Sequence, residues 1–158
     1  MREPPWLEEP ALAVVAMLLS SHQGAFGTPL LAGLVGGATP RQAAQEVFAA
    51  DRAVLAHDGS ADPLLIYANA TALRLWRRRW EEMVGLPSRL TAAPAERQER
   101  AQALALAQEK EALQGYGGIR VDSAGRRFRI EGAKLWTLRE GEGPARGQAA
   151  SFGSWWWL

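Results

Sequence analysis

The chain of 158 residues carries 18 Lys and Arg against 17 Asp and Glu, a net charge of +1, and no cysteine. The charge balance leaves no global field to recruit nucleic acid, anionic lipid or acidic substrates, and the missing thiols exclude disulfides, thiolate metal sites, cysteine nucleophiles and cysteinyl adducts. The length suits one compact domain with an extension, enough to bury a core without staples.

Leu12, Val15, Met17, Leu18 and Leu19 recur at helical spacing within residues 7–22, which predicts an amphipathic helix ended by Gly24, Gly27 and Pro29. The apolar run 11–19 falls short of the roughly 20 residues that span a bilayer. Glu3, Glu8 and Glu9 precede it, where a secretory signal carries positive charge. A soluble cytoplasmic protein is the expectation. A second apolar piece, 30–35, runs into Gly36-Gly37, so residues 1–37 read as a helical extension to a domain of residues 38–158. Thr39-Pro40-Arg41-Gln42 is a helix start, with Thr39 as N-cap, Pro40 at the first helical position and Gln42 as capping-box partner; Ala43, Ala44, Val47 and Phe48 follow on one face.

Residues 53–57 read as a short strand closed by Asp58-Gly59, and residues 64–67 as a second one, stopped by Asn69. The Asn69 side-chain oxygen suits the free N–H groups of a first helical turn, and Leu73, Trp76 and Trp80 then recur at helical spacing. A long helix is predicted over 95–113 with Gly115 as its stop. Ile119 and Val121 alternate with Arg120 and Asp122, Ser123-Ala124-Gly125 turns the chain, and Phe128 and Ile130 alternate with Arg127, Arg129 and Glu131: a hairpin with Ile119 and Val121 inward. The alternation falters where Ala133, Leu135 and Thr137 compete with Trp136 and Leu138, and a bulge at Glu131-Gly132 is one resolution. After a loop at 140–144 comes a final strand, 145–152, and then Trp155-Trp156-Trp157. This order makes an α+β fold: a five-stranded antiparallel sheet with helices on one face, preceded by the N-terminal helical extension.

His57 followed by Asp62-Pro63-Leu64-Leu65-Ile66-Tyr67-Ala68-Asn69, then Trp80-Glu81-Glu82 and Leu86-Pro87-Ser88-Arg89-Leu90, resemble the MEKHLA domain, a branch of the PAS fold. Gly125-Arg126-Arg127-Phe128-Arg129-Ile130-Glu131, Leu135-Trp136 and Gly147-Gln148-Ala149-Ala150 continue the match in order. The resemblance implies a stand-alone bacterial protein or a module like that at the C-terminus of plant class III homeodomain leucine-zipper regulators, with a sensory or dimer-controlling role and no enzymatic activity. It also implies a ligand cavity between sheet and helices, lined by Ile66, Tyr67, Asn69, Leu73, Trp76, Phe128, Ile130 and Trp136. The related light-oxygen-voltage branch binds flavin, and Gly85-Leu86-Pro87-Ser88-Arg89-Leu90 is similar to its photoreactive motif with Ser88 in place of the cysteine. Ser88 cannot form the photoadduct. The flavin-bonding asparagine of that branch falls at Ile130, and its final-strand glutamine is displaced by one position at Gln148.

Three functional readings follow. The first is a non-enzymatic sensory or protein-interaction domain, binding a small molecule of unknown identity and signalling through a homodimer or protein partner, with a flavin or haem sensor as its alternative. The second is an enzyme using Tyr67, His57 or Glu131 as acid or base, although no catalytic constellation is visible. The third is a core packed solid by Trp76 and Trp136. His57 reads as a hydrogen-bonded strand-end histidine rather than a metal ligand, and nothing distinguishes His22. Arg74, Arg77, Arg78 and Arg79 have Glu81 and Glu82 within a turn, which makes a solvated helix face and not a nucleic-acid patch. Gly115-Tyr116-Gly117-Gly118 is a helix-to-strand connection and not a phosphate loop, and the terminal tryptophans either cover the open face of the sheet or, at least one of them, form a contact between two copies.

Overall fold

A computed structural model describes residues 2–34 and 36–158; Val35, the end of the apolar piece 30–35, lies outside them. A 3-10 turn, Pro5–Leu7, leads into α1 (Glu9–Phe26) and α2 (Pro40–Ala49). Then come β1 (Ala53–Asp58), β2 (Leu65–Ala68), α3 (Ala70–Trp76), α4 (Trp80–Met83), 3-10 turns at Ser88–Thr91 and Pro94–Glu96, and α5 (Arg97–Lys110). Four strands close the chain: β3 (Ala112–Val121), β4 (Arg127–Arg139), β5 (Ala145–Phe152) and β6 (Ser154–Trp157).

The antiparallel sheet runs β2-β1-β5-β4-β3, with β6 also on β4. Lys134 pairs with Ser151 and Glu131 with Ser154 in one unbroken register, so β5 and β6 are a single strand interrupted at Gly153. Six segments therefore fill five positions, as the α+β reading expects. The helices after β2 cover one face: Ala72, Leu75 and Trp76 of α3 and Ala107 of α5 pack on Leu55, Leu65, Phe128, Ile130, Leu135 and Phe152. The expectation of helices on one face needs extending, because the N-terminal helices cover the other. Val15 and Leu18 of α1 and Ala44 and Val47 of α2 pack on Val54, Ala56, Tyr67, Trp136, Leu138 and Ala149. Both sheet faces are core.

Local signals account for most elements. Thr39 Oγ1 accepts from Gln42 N at 3.1 Å and Gln42 Oε1 from Thr39 N at 2.9 Å, the capping box that opens α2. The helix after Asn69 is two pieces: Ser123 N and Oγ, in the β3–β4 turn, donate to the carbonyls of Trp76 and Arg77, Arg77 turns left-handed at φ 56°, and α4 restarts at Trp80. α5 stops at Lys110, short of the predicted 113. β4 is long enough to pair Trp136 with Ala112 and Leu135 with Leu113, and that pairing overrides helix propensity.

The predicted bulge at Glu131-Gly132 is present. From Ile130↔Gly118 to Ala133↔Tyr116, β4 advances three residues against two on β3, and Gly132 supplies φ +65°. The bulge keeps Phe128, Ile130, Ala133 and Leu135 on the α5 side and leaves Trp136 and Leu138 toward α1. The two competing sets are both inward, on opposite faces.

One glycine is fixed by a close approach. A Cβ on Gly147 would lie 1.9 Å from the His57 carbonyl oxygen across the β1–β5 pairing. Gly147→Ala should lower unfolding free energy by about 2 kcal/mol, the scale of an overpacked core. A urea midpoint unchanged in the variant would show that the strands part there at no cost.

Candidate functional site

Alternation along β1, β4 and β5 turns one set of side chains toward α5, and between them lies a cavity of about 50 Å³. Its walls are largely apolar, with Leu55, Leu65, Trp76, Ile130, Leu135 and Phe152 around it. Five polar side chains join them: His57 from β1, Thr91 from the turn before α5, Arg100 from α5, Arg120 from β3 and Gln148 from β5.

Each polar group has an identifiable setting. The segment after α4 runs beside β2, with Leu65 N donating to Leu86 O and Gly85 N to Leu65 O, and so covers that sheet edge. It delivers Ser88, whose Oγ lies 2.9 Å from His57 Nδ1. His57 is 6% exposed. Burial pushes its pKa down to about 4, Arg100 adds to this, and a hydrogen bond with Gln148 and the charge of Asp58 oppose it. Gln148 Nε2 donates to Leu104 O at 2.9 Å, and Trp76 Nε1 to Thr91 O at 3.2 Å. Arg120, also 6% exposed, donates to Ile119 O at 3.0 Å and to Tyr116 Oη at 3.2 Å, and Tyr116 Oη donates to Glu99 Oε2 at 2.9 Å. Burial, with the charge of Arg120 second, draws the Arg100 guanidinium down to about 10.

Of the residues the sequence offered, Trp76, Ile130 and Gln148 line the cavity, and Ser88 stands behind His57. Leu73 and Phe128 belong to the same apolar cluster without lining it. Ile66, Tyr67 and Trp136 do not belong to the site, because they pack on the opposite face. The reasons are two irregularities of register. Ala56 pairs with Tyr67 but His57 with Leu65, so Ile66 is an extra residue in β2, and the Gly132 bulge sends Trp136 toward α1. There Trp136 Nε1 donates to Ser21 Oγ at 3.0 Å. Asn69 does not face the cavity either. Its Oδ1 accepts from Val54 N and Ala72 N, and its Nδ2 donates to Val47 O and Arg52 O, so the predicted cap is present and every hydrogen-bonding position is used.

Arg120 was missed because β3 faces the other way from the sequence reading. Arg120 and Asp122 are buried and Ile119 and Val121 only half-buried. A signal existed: Arg120 pairs directly with Phe128, and cross-strand partners share a face, so an inward Phe128 requires an inward Arg120. Of the residues offered as acid or base for an enzyme, Tyr67, His57 or Glu131, only His57 borders the cavity. Tyr67 lies toward α1, its phenol pushed up by burial, while Glu131 is half-exposed and paired with Arg129 at 3.2 Å. Among the described residues no three His, Cys, Asp or Glu side chains gather as a metal site. Arg79 pairs with Glu82 at 3.3 Å.

A family model described as the MEKHLA domain matches residues 12–157. The chain belongs to the MEKHLA domain family. Solved structures similar to this MEKHLA domain are PAS and light-oxygen-voltage domains. The PAS domain of a protein from Colwellia psychrerythraea aligns with a TM-score of 0.62 at 16% identity, over 70% of this chain and 92% of that one. An RNA-binding light-oxygen-voltage receptor aligns at 0.64 and 23%, over 79% of this chain and 35% of the receptor. The light-oxygen-voltage domain of a blue-light activated histidine kinase from Erythrobacter litoralis aligns at 0.53 and 16%, over 63% and 91%. These likenesses establish a PAS-like fold. No curated protein matches.

The flavin of the light-oxygen-voltage branch does not fit this MEKHLA domain. Pockets for ligands of that size run to roughly 300–1,000 Å³, whereas the cavity of about 50 Å³ is walled by Trp76, Ile130 and Phe152. A haem fails the same test.

Proposed function

We propose that this MEKHLA domain is a non-enzymatic sensory module of the cytoplasm: a small ligand enters the cavity under α5, and α1, across the sheet, reads its presence. The observation that carries the reading is the position of neighbouring residues on opposite faces. Leu135 borders the cavity and Trp136 holds Ser21 of α1; Gln148 borders the cavity and Ala149 packs under the N-terminal helices. Displacing either strand by a ligand repacks α1 without any relay of side chains. A ligand that prefers one packing shifts the population of the two.

The signal then passes to a second copy or a protein partner. The sheet face away from α5 is occupied by α1 and α2, so the partner meets those helices or the β6 edge, where Trp156 and Trp157 are 47% and 40% exposed. No described helix is long and apolar enough to cross a membrane, which agrees with a cytoplasmic role.

Absorption spectroscopy and native mass spectrometry of the freshly purified protein test the class of ligand. A colourless protein is the expected result. Flavin or haem bands would overturn the small-ligand reading. Hydrogen exchange then tests the readout: a compound that raises the melting temperature should change amide protection in α1, and one that binds with α1 unchanged would refute it.

A further inference from the structure

The guanidinium of buried Arg120 and that of half-buried Arg100 share the cavity wall, with no carboxylate among its lining residues. Seven ion pairs in the described structure use Arg41, Arg79, Arg89, Arg127, Arg129, Arg139 and Arg146; neither Arg100 nor Arg120 takes part. Arg120 has two hydrogen bonds for five donors, both to neutral oxygens, and Glu99 reaches it only through the Tyr116 hydroxyl. No side-chain hydrogen bond of Arg100 is found among the described residues, and its charge is felt by Arg120 and by His57. An arginine drawn partly out of water cannot shed its proton to escape the cost of desolvation, and an anion held against both guanidiniums offsets that cost.

We propose that Arg100 and Arg120 clamp a small monocarboxylate in this cavity. The proposal names the ligand class of the sensory reading above and rests on it. The planar fork of a guanidinium matches a carboxylate with two parallel hydrogen bonds, and an anion between the two cations removes their mutual repulsion. The rest of the wall is apolar: Leu55, Ile130 and Phe152 suit a short alkyl tail and offer nothing to a fully oxygenated anion such as phosphate. The cavity volume of about 50 Å³ lies far below the roughly 300–1,000 Å³ of pockets for drug-sized ligands, which favours a small anion. His57 is neutral at pH 7, its pKa lowered by burial and by Arg100, so it adds no third cation and Gln148 beside it stays available as a neutral partner.

The test is a melting-temperature titration of the whole chain with sodium acetate and sodium propionate at constant ionic strength, against sodium chloride, sodium phosphate and the neutral isostere acetamide. Acetate or propionate should stabilise with a concentration dependence that saturates, and the other three should not. Arg100→Met should weaken the carboxylate response by about tenfold or more, the scale of a lost charged hydrogen bond. Without added anion it should melt at or above the wild-type temperature, since a half-buried charge with no ion-pair partner has been removed from the cavity wall. Arg120→Lys keeps the charge and loses the fork; it should bind more weakly than wild type yet fold. Equal responses to carboxylate, chloride and phosphate would overturn the clamp, as would an Arg100→Met protein that answers propionate like wild type or is destabilised without it. Propionate binding that leaves α1 hydrogen exchange unchanged would confirm the clamp and refute the readout. Stabilisation by acetamide alone would refute the clamp and spare the sensor.

Discussion

Replacing Asn69 by Leu should cost about 4 kcal/mol of unfolding free energy, enough to consume much of the 5–15 kcal/mol by which a domain of this kind is stable. Asn69 is fully buried and ties together pieces that are distant in sequence: Val54 of β1, Ala72 at the start of α3, Val47 in α2 and Arg52 in the link between α2 and β1. Leucine leaves two N–H groups and two carbonyls in the interior without these partners, and an unmet buried group costs more than a formed hydrogen bond contributes. Asn69→Asp separates the two halves of the role. It keeps an acceptor for the two N–H groups but turns an oxygen toward the two carbonyls. It should therefore be destabilised as well, by at least half as much at neutral pH. Urea unfolding of both variants measures the effect. A loss below about 1 kcal/mol for Asn69→Leu, the worth of a single hydrogen bond, would mean that the junction does not depend on this side chain.

Acid should weaken the protein through His57. Its folded pKa of about 4 lies below the ordinary value of 6.5. Between those values the unfolded chain therefore binds a proton that the folded chain refuses. The stability this provides is fully present above pH 6.5 and drains as pH falls toward 4, a total of about 3 kcal/mol from 1.36 kcal/mol per unit. His22 acts in the same direction. Burial lowers it first, and Lys134 and Arg52 add to this against the hydrogen bond from Nδ1 to Thr28 O. Its other nitrogen, Nε2, accepts a hydrogen bond from Lys134 Nζ at 3.2 Å, a contact that an imidazolium cannot make. The carboxyl of Asp58, lowered first by the Ser60 hydroxyl, contributes only at lower pH, below its ordinary value of 3.8. Unfolding free energy measured at intervals from pH 7 to 4.5 should fall steeply in wild type and less steeply in His57→Gln. Identical slopes would show that His57 is not the titrating group.

The elements of this fold were largely readable because their signals are local. The Thr39 capping box, Asn69 at the head of α3 and the bulge at Gly132 each rest on a few adjacent residues, and each is in place. The faces were harder to read, since facing depends on what lies across the sheet. A single extra residue at Ile66 and another at Gly132 moved Tyr67 and Trp136 to the far side. The N-terminal helices made that far side a second core, where exposed polar alternation would otherwise have shown which way each strand points. Arg120 and Asp122 looked outward because charge usually is. Asp122 is buried at the hairpin turn, its Oδ1 accepting from Ala124 N and Arg126 N, and Arg120 is buried at the cavity. The candidate site was legible in Trp76, Ile130, Gln148 and Ser88 and illegible in the charges that give it a ligand class.

The central place of β5 in the sheet has a consequence for the chain as it is made. β1 pairs with β2 on one side and β5 on the other, and its partner there, in the pair Ala53↔Phe152, is synthesised about 100 residues later. At roughly 5–20 residues per second the ribosome leaves the β1–β2 pair waiting on the order of 5–20 seconds, too slight a hairpin to hold by itself. During that interval Val54, Leu55 and Leu65, apolar on both faces, are open to any sticky surface nearby. The nascent chain is thus most vulnerable at its best-buried strand, and that stretch is where a chaperone would find it.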